Sequence, residues 1–187
     1  MMRENDVLAV LDLLAEADVP AWVDGGWGID ALLGRSTREH ADVDLVVPLD
    51  RLPTVRDTLA AAGFTTVLRD WLPTALALAD GTGRSVDLHP VVDTPGTGAE
   101  QILPDGSRFT YGSPGTGRIG GREVRCADAA TQMRAHTGYE PTAKDRRDLA
   151  LLHAHSGVAL PPEYARSAGD PSAEVASADE QPVPPPA

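Results

Sequence analysis

The sequence predicts an α+β fold, a mixed β-sheet with helices placed before, within and after its strands. Three observations predict it. Residues 21–34 read as strand, glycine turn, helix. Asp80-Gly81-Thr82-Gly83 joins two β-leaning runs as a hairpin, so the sheet cannot be wholly parallel. Amphipathic helical spacing opens and closes the chain.

The elements follow in order. Asn5 or Asp6 is expected to cap a first helix, because Val7, Leu8, Leu11, Leu14 and Ala15 keep the i, i+3, i+4, i+7 pattern, and Val19-Pro20 should end it. A short strand, Ala21 to Asp24, meets Gly25-Gly26, after which Trp27 to Leu33 reads as a helix stopped by Gly34. Ala41 to Val47 alternates Asp with apolar residues and then becomes wholly apolar, as a strand entering a sheet from an exposed end does. Leu52 to Ala62 is a second long helix, with Pro53 tolerated in its first turn and Gly63 beyond its end. Phe64 to Leu68, Thr74 to Ala79 and Arg84 to Val92 are strands, followed by Ser107 to Tyr111 and Arg122 to Cys126. Asp128 caps a helix running to about Thr137, and Thr142 to Ser156 forms the last helix, with Leu149, Leu152 and His153 on one side. The string Pro-Gly-Thr-Gly occurs at 95–98 and again at 114–117; neither copy precedes a helical pattern, so both read as turns. From Ala168 the chain is Pro, Ala, Ser and acid, a composition that cannot offset its ordering entropy and is expected to be disordered.

A length of 187 residues suits one compact domain with an appended element or tail. The formal net charge of −12 makes long nucleic acid a poor partner, since phosphate-backbone binding needs a basic surface. A single cysteine, Cys126, suits a reducing compartment, and cytoplasm is the expectation. There is neither an N-terminal apolar stretch of the signal-peptide kind nor a run of about 18 apolar residues for a membrane helix, so no membrane partner is expected.

Asp42-Val43-Asp44 is the sharpest chemical feature. In a strand, residues i and i+2 share a face at a rise of about 3.3 Å per residue, so two carboxylates converge. They repel one another and favour a divalent cation, and bridging oxygens can hold two Mg²⁺ roughly 3.5 to 4 Å apart. Taken alone, the pair is equally a solvated strand end. Arg84-Ser85-Val86-Asp87-Leu88-His89 adds a second strand on which Asp87 and His89 share a face, and the preceding hairpin can return it beside the first. Three carboxylates alone would repel a triphosphate, so any nucleotide role here requires metal. Asp87 can also take a proton from a hydroxyl nucleophile in an in-line displacement. Gly25 and Gly26 sit at a strand-to-helix turn, where backbone amides and the positive helix end attract an anion. Arg38 can meet a β- or γ-phosphate as a bidentate donor, or pair with Glu39 or Asp30. Trp22, Trp27, Trp71, Tyr111 and Tyr139 can stack on a base or wall a sugar pocket, though core packing is the better account of each.

Together these residues carry a family resemblance. Trp22-Val23-Asp24-Gly25-Gly26-Trp27-Gly28-Ile29-Asp30-Ala31-Leu32-Leu33-Gly34, then Thr37-Arg38-Glu39-His40-Ala41-Asp42-Val43-Asp44, then Val86-Asp87-Leu88-His89-Pro90, resembles the small antibiotic nucleotidyltransferases. These are the lincosamide and aminoglycoside 2''-type adenylyltransferases of the DNA polymerase β-like superfamily. Cys126, Gln132, His136 to Pro141 and Asp145 to Asp148 are similar to the C-terminal part of the lincosamide members, so the likeness spans about residues 5–160. It implies an α+β nucleotidyltransferase fold, a mixed sheet with flanking helices and a small C-terminal helical portion. Residues 1–126 would form the catalytic core, 127–160 the helical portion and 161–187 the tail.

The resemblance implies transfer of AMP from MgATP to a hydroxyl of a small amine-bearing antibiotic, a lincosamide before an aminoglycoside, with release of pyrophosphate. It assigns Asp42, Asp44 and Asp87 to metal, with Asp87 also the general base, and Gly25, Gly26 and Arg38 to the nucleotide. Related polymerase-like enzymes often carry serine in that turn, so Gly26 must act through its backbone alone. Tyr139, His89 and Glu140 are expected to meet a cationic acceptor, which an acidic body favours. Family analogy alone implies a homodimer. Competing readings are a protein-modifying minimal nucleotidyltransferase of the antitoxin type, a lapsed nucleotide-binding scaffold, and a metal hydrolase built on His40, Asp42, Asp44 and His89.

Overall fold

The structure is a computed structural model that describes residues 1–95 and 98–165. Two compact units divide the described residues, the first ending at Gln132 and the second beginning at Met133. Among the described residues no helix is long and apolar enough to cross a membrane.

The first unit opens with α1 (Glu4–Glu16), β1 (Trp22–Asp24), α2 (Gly25–Leu33), β2 (Asp42–Pro48) and α3 (Leu52–Ala61). The N-cap of α1 is Arg3 rather than Asn5 or Asp6. Asp6 works from inside the first turn, where its carboxylate accepts from the Arg3 amide at 3.0 Å. The helix α2 starts at Gly25, two residues before the expected Trp27, because the glycines themselves form its first turn. Seven strands follow: β3 (Thr66–Trp71), β4 (Ala75–Ala79), β5 (Ser85–Thr94), β6 (Gly98–Ile102), β7 (Arg108–Gly112), β8 (Gly115–Ile119) and β9 (Arg122–Cys126).

Among the described residues these strands make one sheet in the order β3-β4-β5-β2-β1-β9-β8, with the β6–β7 hairpin attached to β5. The mixed sheet is as expected: β2 and β5 are parallel, whereas β4 and β5 are antiparallel across the Asp80–Gly83 turn. Two expectations fail. The first strand after α3 runs Thr66–Trp71, not Phe64 to Leu68, because Phe64 is drawn into the core behind the helix. Residues 114–117 are not merely a turn, since Gly115 to Ile119 pairs along β9. Gly117 lies so close to the Ala31 backbone that any side chain there would collide with α2, so this glycine serves helix-on-strand packing. The other copy, at 95–98, includes Gly96 and Thr97, which lie outside the described residues.

Strand alternation sorts the side chains by face. Val23, Val43, Leu45, Val47, Leu76, Leu78, Val86 and Leu88 point to one face and join Val7, Val10 and Leu14 of α1 and Val55 and Leu59 of α3 in the main core. Each such fully buried side chain contributes about 1.5 to 3 kcal/mol. On the opposite face Val46, Val91, Ala99, Tyr111 and Ala127 form a smaller apolar floor. Polar residues of β1, β2 and β5 stand beside that floor.

The helix α4 (Ala129–Ala135) is capped by Asp128, which accepts from the Thr131 amide at 2.7 Å. It stops two residues short of Thr137, whose hydroxyl donates to the Arg134 carbonyl. The second unit contains α5 (Ala143–Ser156) and α6 (Pro162–Ala165). Thr142 and Asp145 cap α5 reciprocally, and Gly157 ends it with φ of 72°. Leu149 and Leu152 are buried as expected, but His153 is exposed and its Nδ1 lies 2.8 Å from the Val158 carbonyl. The short α6 falls within the span expected to be tail, and the stretch from Ala168 lies outside the described residues.

Candidate active site

Three adjacent strands bring three aspartates into one row. Asp24 of β1 pairs with Asp44 of β2, and Asp44 pairs with Asp87 of β5. Asp42 lies one pleat along the same face, opposite Ser85. Next to the row stands His89, two residues from Asp87 on β5. One ligand atom each from Asp44, Asp87 and His89 lies within 4.8 Å of the others. The row continues outward through Ala77 of β4 to Arg69 of β3.

The carboxylates differ in their partners. Arg69 donates to Asp87 Oδ2, while Asp87 Oδ1 is buried without a hydrogen-bond partner among the described residues. Asp24 is 5% exposed; its Oδ2 accepts from the Tyr111 hydroxyl at 2.9 Å, and its Oδ1 is also without a partner among the described residues. His89 Nε2 lies 3.4 Å from Asp44 Oδ1, and its Nδ1 is 3.2 Å from the Gln101 amide, which donates to the Thr74 carbonyl.

Electrostatics follow from this crowding. Burial pushes the Asp87 carboxyl upward, His89 and Arg69 oppose that, and the charges of Asp44 and Asp42 add to it. For His89 burial favours the neutral ring, but the Asp44 hydrogen bond and the charges of Asp87, Asp44 and Asp24 outweigh it and hold the imidazole up at about 9. Metal-free, the imidazole of His89 and the guanidinium of Arg69 offset only part of the negative charge of Asp24, Asp42, Asp44 and Asp87. Hard carboxylate oxygens, two of them buried without partners, fit a divalent cation of the Mg²⁺ kind.

The diglycine turn belongs to the same site. Gly25 has φ of 55°, and a side chain there would run into the Asp44 carboxylate. Glycine is thus required twice, for its backbone and for the space that Asp44 occupies. A side chain on Gly26 would strike the Arg38 guanidinium and the His40 ring, so Arg38 lies against the first turn of α2. Arg38 also donates to the Glu39 carbonyl at 3.0 Å.

His40 has a different task. Its Nε2 is 2.6 Å from Asp30 Oδ2, its ring lies 4.6 Å from that of Trp27, and Thr37 donates to both Asp30 oxygens. The buried Asp30 pins the loop that carries Arg38. A hydrolase site using His40 as a ligand is therefore overturned, because its ring faces α2 instead of Asp42 and Asp44.

Tyr139 and Glu140 belong to the second unit. Burial, the Asp145 charge and the neighbouring Tyr164 hydroxyl push the half-buried Tyr139 phenol upward. Glu140 is exposed and accepts from Arg146 at 3.4 Å. Sequence reasoning missed Arg69 and Gln101 altogether and assigned Asp24 and Tyr111 no joint role. A cross-strand register is needed to find them, and only Asp24, next to the diglycine, carried a local signal.

A metal-accepting carboxylate row on a mixed sheet, with a diglycine turn opening the neighbouring helix, defines the class: this is a metal-dependent nucleotidyltransferase, an enzyme taking a nucleotide donor and a divalent ion. The chain belongs to the aminoglycoside-2''-adenylyltransferase family, whose model matches residues 6–152. It is similar to a lincosamide resistance protein of Staphylococcus haemolyticus, 27% identical over 153 residues, which is 81% of this chain and 94% of that protein. A 2''-aminoglycoside nucleotidyltransferase of Klebsiella pneumoniae is 47% identical over 53 residues, 27% of this chain and 30% of that protein. Among solved structures, the lincomycin-bound lincosamide antibiotic adenylyltransferase LnuA superposes with a TM-score of 0.74 at 26% identity, covering 83% of this chain and 99% of that one. The resemblance read from the sequence, and the fold it implied, are borne out.

Proposed function

We propose that this enzyme transfers AMP from MgATP to a hydroxyl of a small amine-bearing antibiotic and releases pyrophosphate, with a lincosamide the first choice of acceptor and an aminoglycoside the second. The reading rests on the in-register row of Asp24, Asp44 and Asp87, which gathers negative charge where a metal-bound triphosphate needs it. The order of acceptors is supported by extent of likeness: it runs through 94% of the lincosamide resistance protein but only 30% of the 2''-aminoglycoside enzyme.

In this reading Asp42, Asp44 and Asp87 hold two Mg²⁺, whose chemistry is to neutralise phosphate charge and lower the barrier to in-line displacement. Backbone amides at Gly25 and Gly26 hold a phosphate at the start of α2, and Arg38 donates to the β- or γ-phosphate. Asp87 takes the proton of the acceptor hydroxyl as its oxygen bonds to the α-phosphorus, and the bond from that phosphorus to the bridging oxygen breaks, freeing pyrophosphate. Burial raises the proton affinity of Asp87, which suits a base. His89 of the first unit meets the acceptor, and Tyr139 and Glu140 are the second unit's own candidates for acceptor binding, Glu140 through its negative charge. Residues 1–126 make up the catalytic core and 127–160 the helical portion. The enzyme works in the cytoplasm, where its donor is, and as a homodimer.

The test is a panel of lincosamides and aminoglycosides incubated with MgATP or MgGTP, read by mass for an added nucleotide and by pyrophosphate release. An AMP adduct on a lincosamide is expected. Acceptor turnover without nucleotide, or adenylylation of proteins alone, would overturn the reading.

A further inference from the structure

We propose that Arg69 is a positioning residue for Asp87, delivered to the site by a one-residue bulge at Leu68 and given passage by the small side chain of Ala77. The inference rests on the nucleotidyl-transfer reading and deepens it.

Strand β3 runs antiparallel to β4, pairing Thr66 with Ala79 and Val67 with Leu78; then the register shifts, and Arg69 rather than Leu68 stands opposite Ala77. Side chains alternate with a period of two, so a regular strand would have set Arg69 opposite Leu76, on the helix-covered face. The extra residue turns it onto the face of the aspartate row, the re-aiming that bulges beside active sites perform.

Reach is the second condition. Arg69, Ala77 and Asp87 lie in one row across β3, β4 and β5. Neighbouring strands are about 4.8 Å apart, so roughly 10 Å of sheet separates the backbones of Arg69 and Asp87, and their side chains meet by passing over residue 77. Ala77 is buried and carries only a methyl group on that path. A longer side chain there would occupy the channel the arginine uses.

The guanidinium is held from both ends. Its carbon sits 4.8 Å from the centre of the Trp71 ring, and its amino group bonds to Asp87 Oδ2. With Oδ2 taken, the buried Oδ1 is the Asp87 oxygen left without a partner. Arg69 thereby fixes which oxygen of Asp87 is available and how the carboxylate is turned, without touching substrate.

The test compares wild type with Arg69→Gln, Arg69→Lys and Ala77→Leu in the full chain, measuring kcat, KM for ATP and acceptor, and melting temperature. Outer-shell partners of such carboxylates are typically worth about 10- to 100-fold. Arg69→Gln is expected to lower kcat by about that factor with KM for ATP within about twofold, and Arg69→Lys to recover part of it. Ala77→Leu, which keeps the arginine but closes its path, is expected to match Arg69→Gln. Crystal structures of Arg69→Gln and Ala77→Leu should show the Asp87 carboxylate turned from its wild-type orientation. An unmoved Asp87 in both, or kcat of Arg69→Gln within about twofold of wild type, would overturn the proposal. A wild type inactive on every acceptor would overturn the proposed function instead, and the crystallographic comparison would still read the role of Arg69.

Discussion

Replacing Asp87 with asparagine should separate stability from turnover. The ligand atoms of Asp44 and Asp87 lie within 4.8 Å. At an effective dielectric of about 20, two like charges at that distance repel by about 3.5 kcal/mol. Asp87→Asn removes this repulsion together with the weaker one from Asp42. It also removes attractions of comparable size to Arg69 and to the His89 imidazolium. Burial makes the charged carboxyl costly and works against those attractions, so the neutral isostere is expected to leave metal-free stability within about 1 kcal/mol of wild type. Turnover should behave otherwise. A positioned base contributes about 10²- to 10⁴-fold, so pyrophosphate release should fall by roughly 10³-fold or more, about 4 kcal/mol of barrier. Urea denaturation in EDTA measures the first quantity and a coupled pyrophosphate assay the second. Nucleotide titration divides the roles: retained ATP binding indicates proton abstraction, and lost binding indicates mainly metal ligation. Turnover within tenfold of wild type would refute the assignment of Asp87 to the reaction.

Three further outcomes follow from the geometry. Gly25→Ala combines a left-handed backbone with a collision against Asp44, so it should lose about 1 to 3 kcal/mol in urea denaturation and nearly all pyrophosphate release. His40→Ala takes one ring nitrogen from the buried Asp30 and leaves its two Thr37 donors, and an unfolding free energy lower by about 1 to 3 kcal/mol is expected; an unchanged value would mean the pair holds nothing in place. The His89 imidazole is held at about 9 against an ordinary value of 6.5, so its stabilising contribution is complete below pH 6.5 and is lost as pH rises through 9. Metal-free protein should therefore lose on the order of 3 kcal/mol across that window, and His89→Gln should abolish the decline in a pH series of urea melts.

Much of the site could be read in the sequence because its signals are local. The spacing of Asp42 and Asp44 fixes their common face, Gly25-Gly26 marks the start of α2, and Asp80 to Gly83 sends β5 back beside β4. What stayed hidden depends on pairing between distant strands. Asp24 joins the row only because β1 lies antiparallel to β2, and Arg69 joins through a bulge that no periodicity announces. Strand β8 was masked by Pro114-Gly115-Thr116-Gly117, whose Gly117 serves close packing on α2 instead of a turn. The pairing of His40 with Asp30 was hidden for a further reason: an imidazole beside two aspartates reads as a metal ligand until the fold shows which carboxylate it faces.

The most direct measurement is anomalous diffraction from crystals of the wild-type protein grown with Mn²⁺ and a non-hydrolysable ATP analogue. Anomalous density is expected between Asp42, Asp44 and Asp87, with the analogue's phosphates reaching toward Gly25 and Gly26. Manganese bound elsewhere, or a nucleotide seated away from this row, would contradict the central claim that the aspartate row of β2 and β5 is where the phosphates are held.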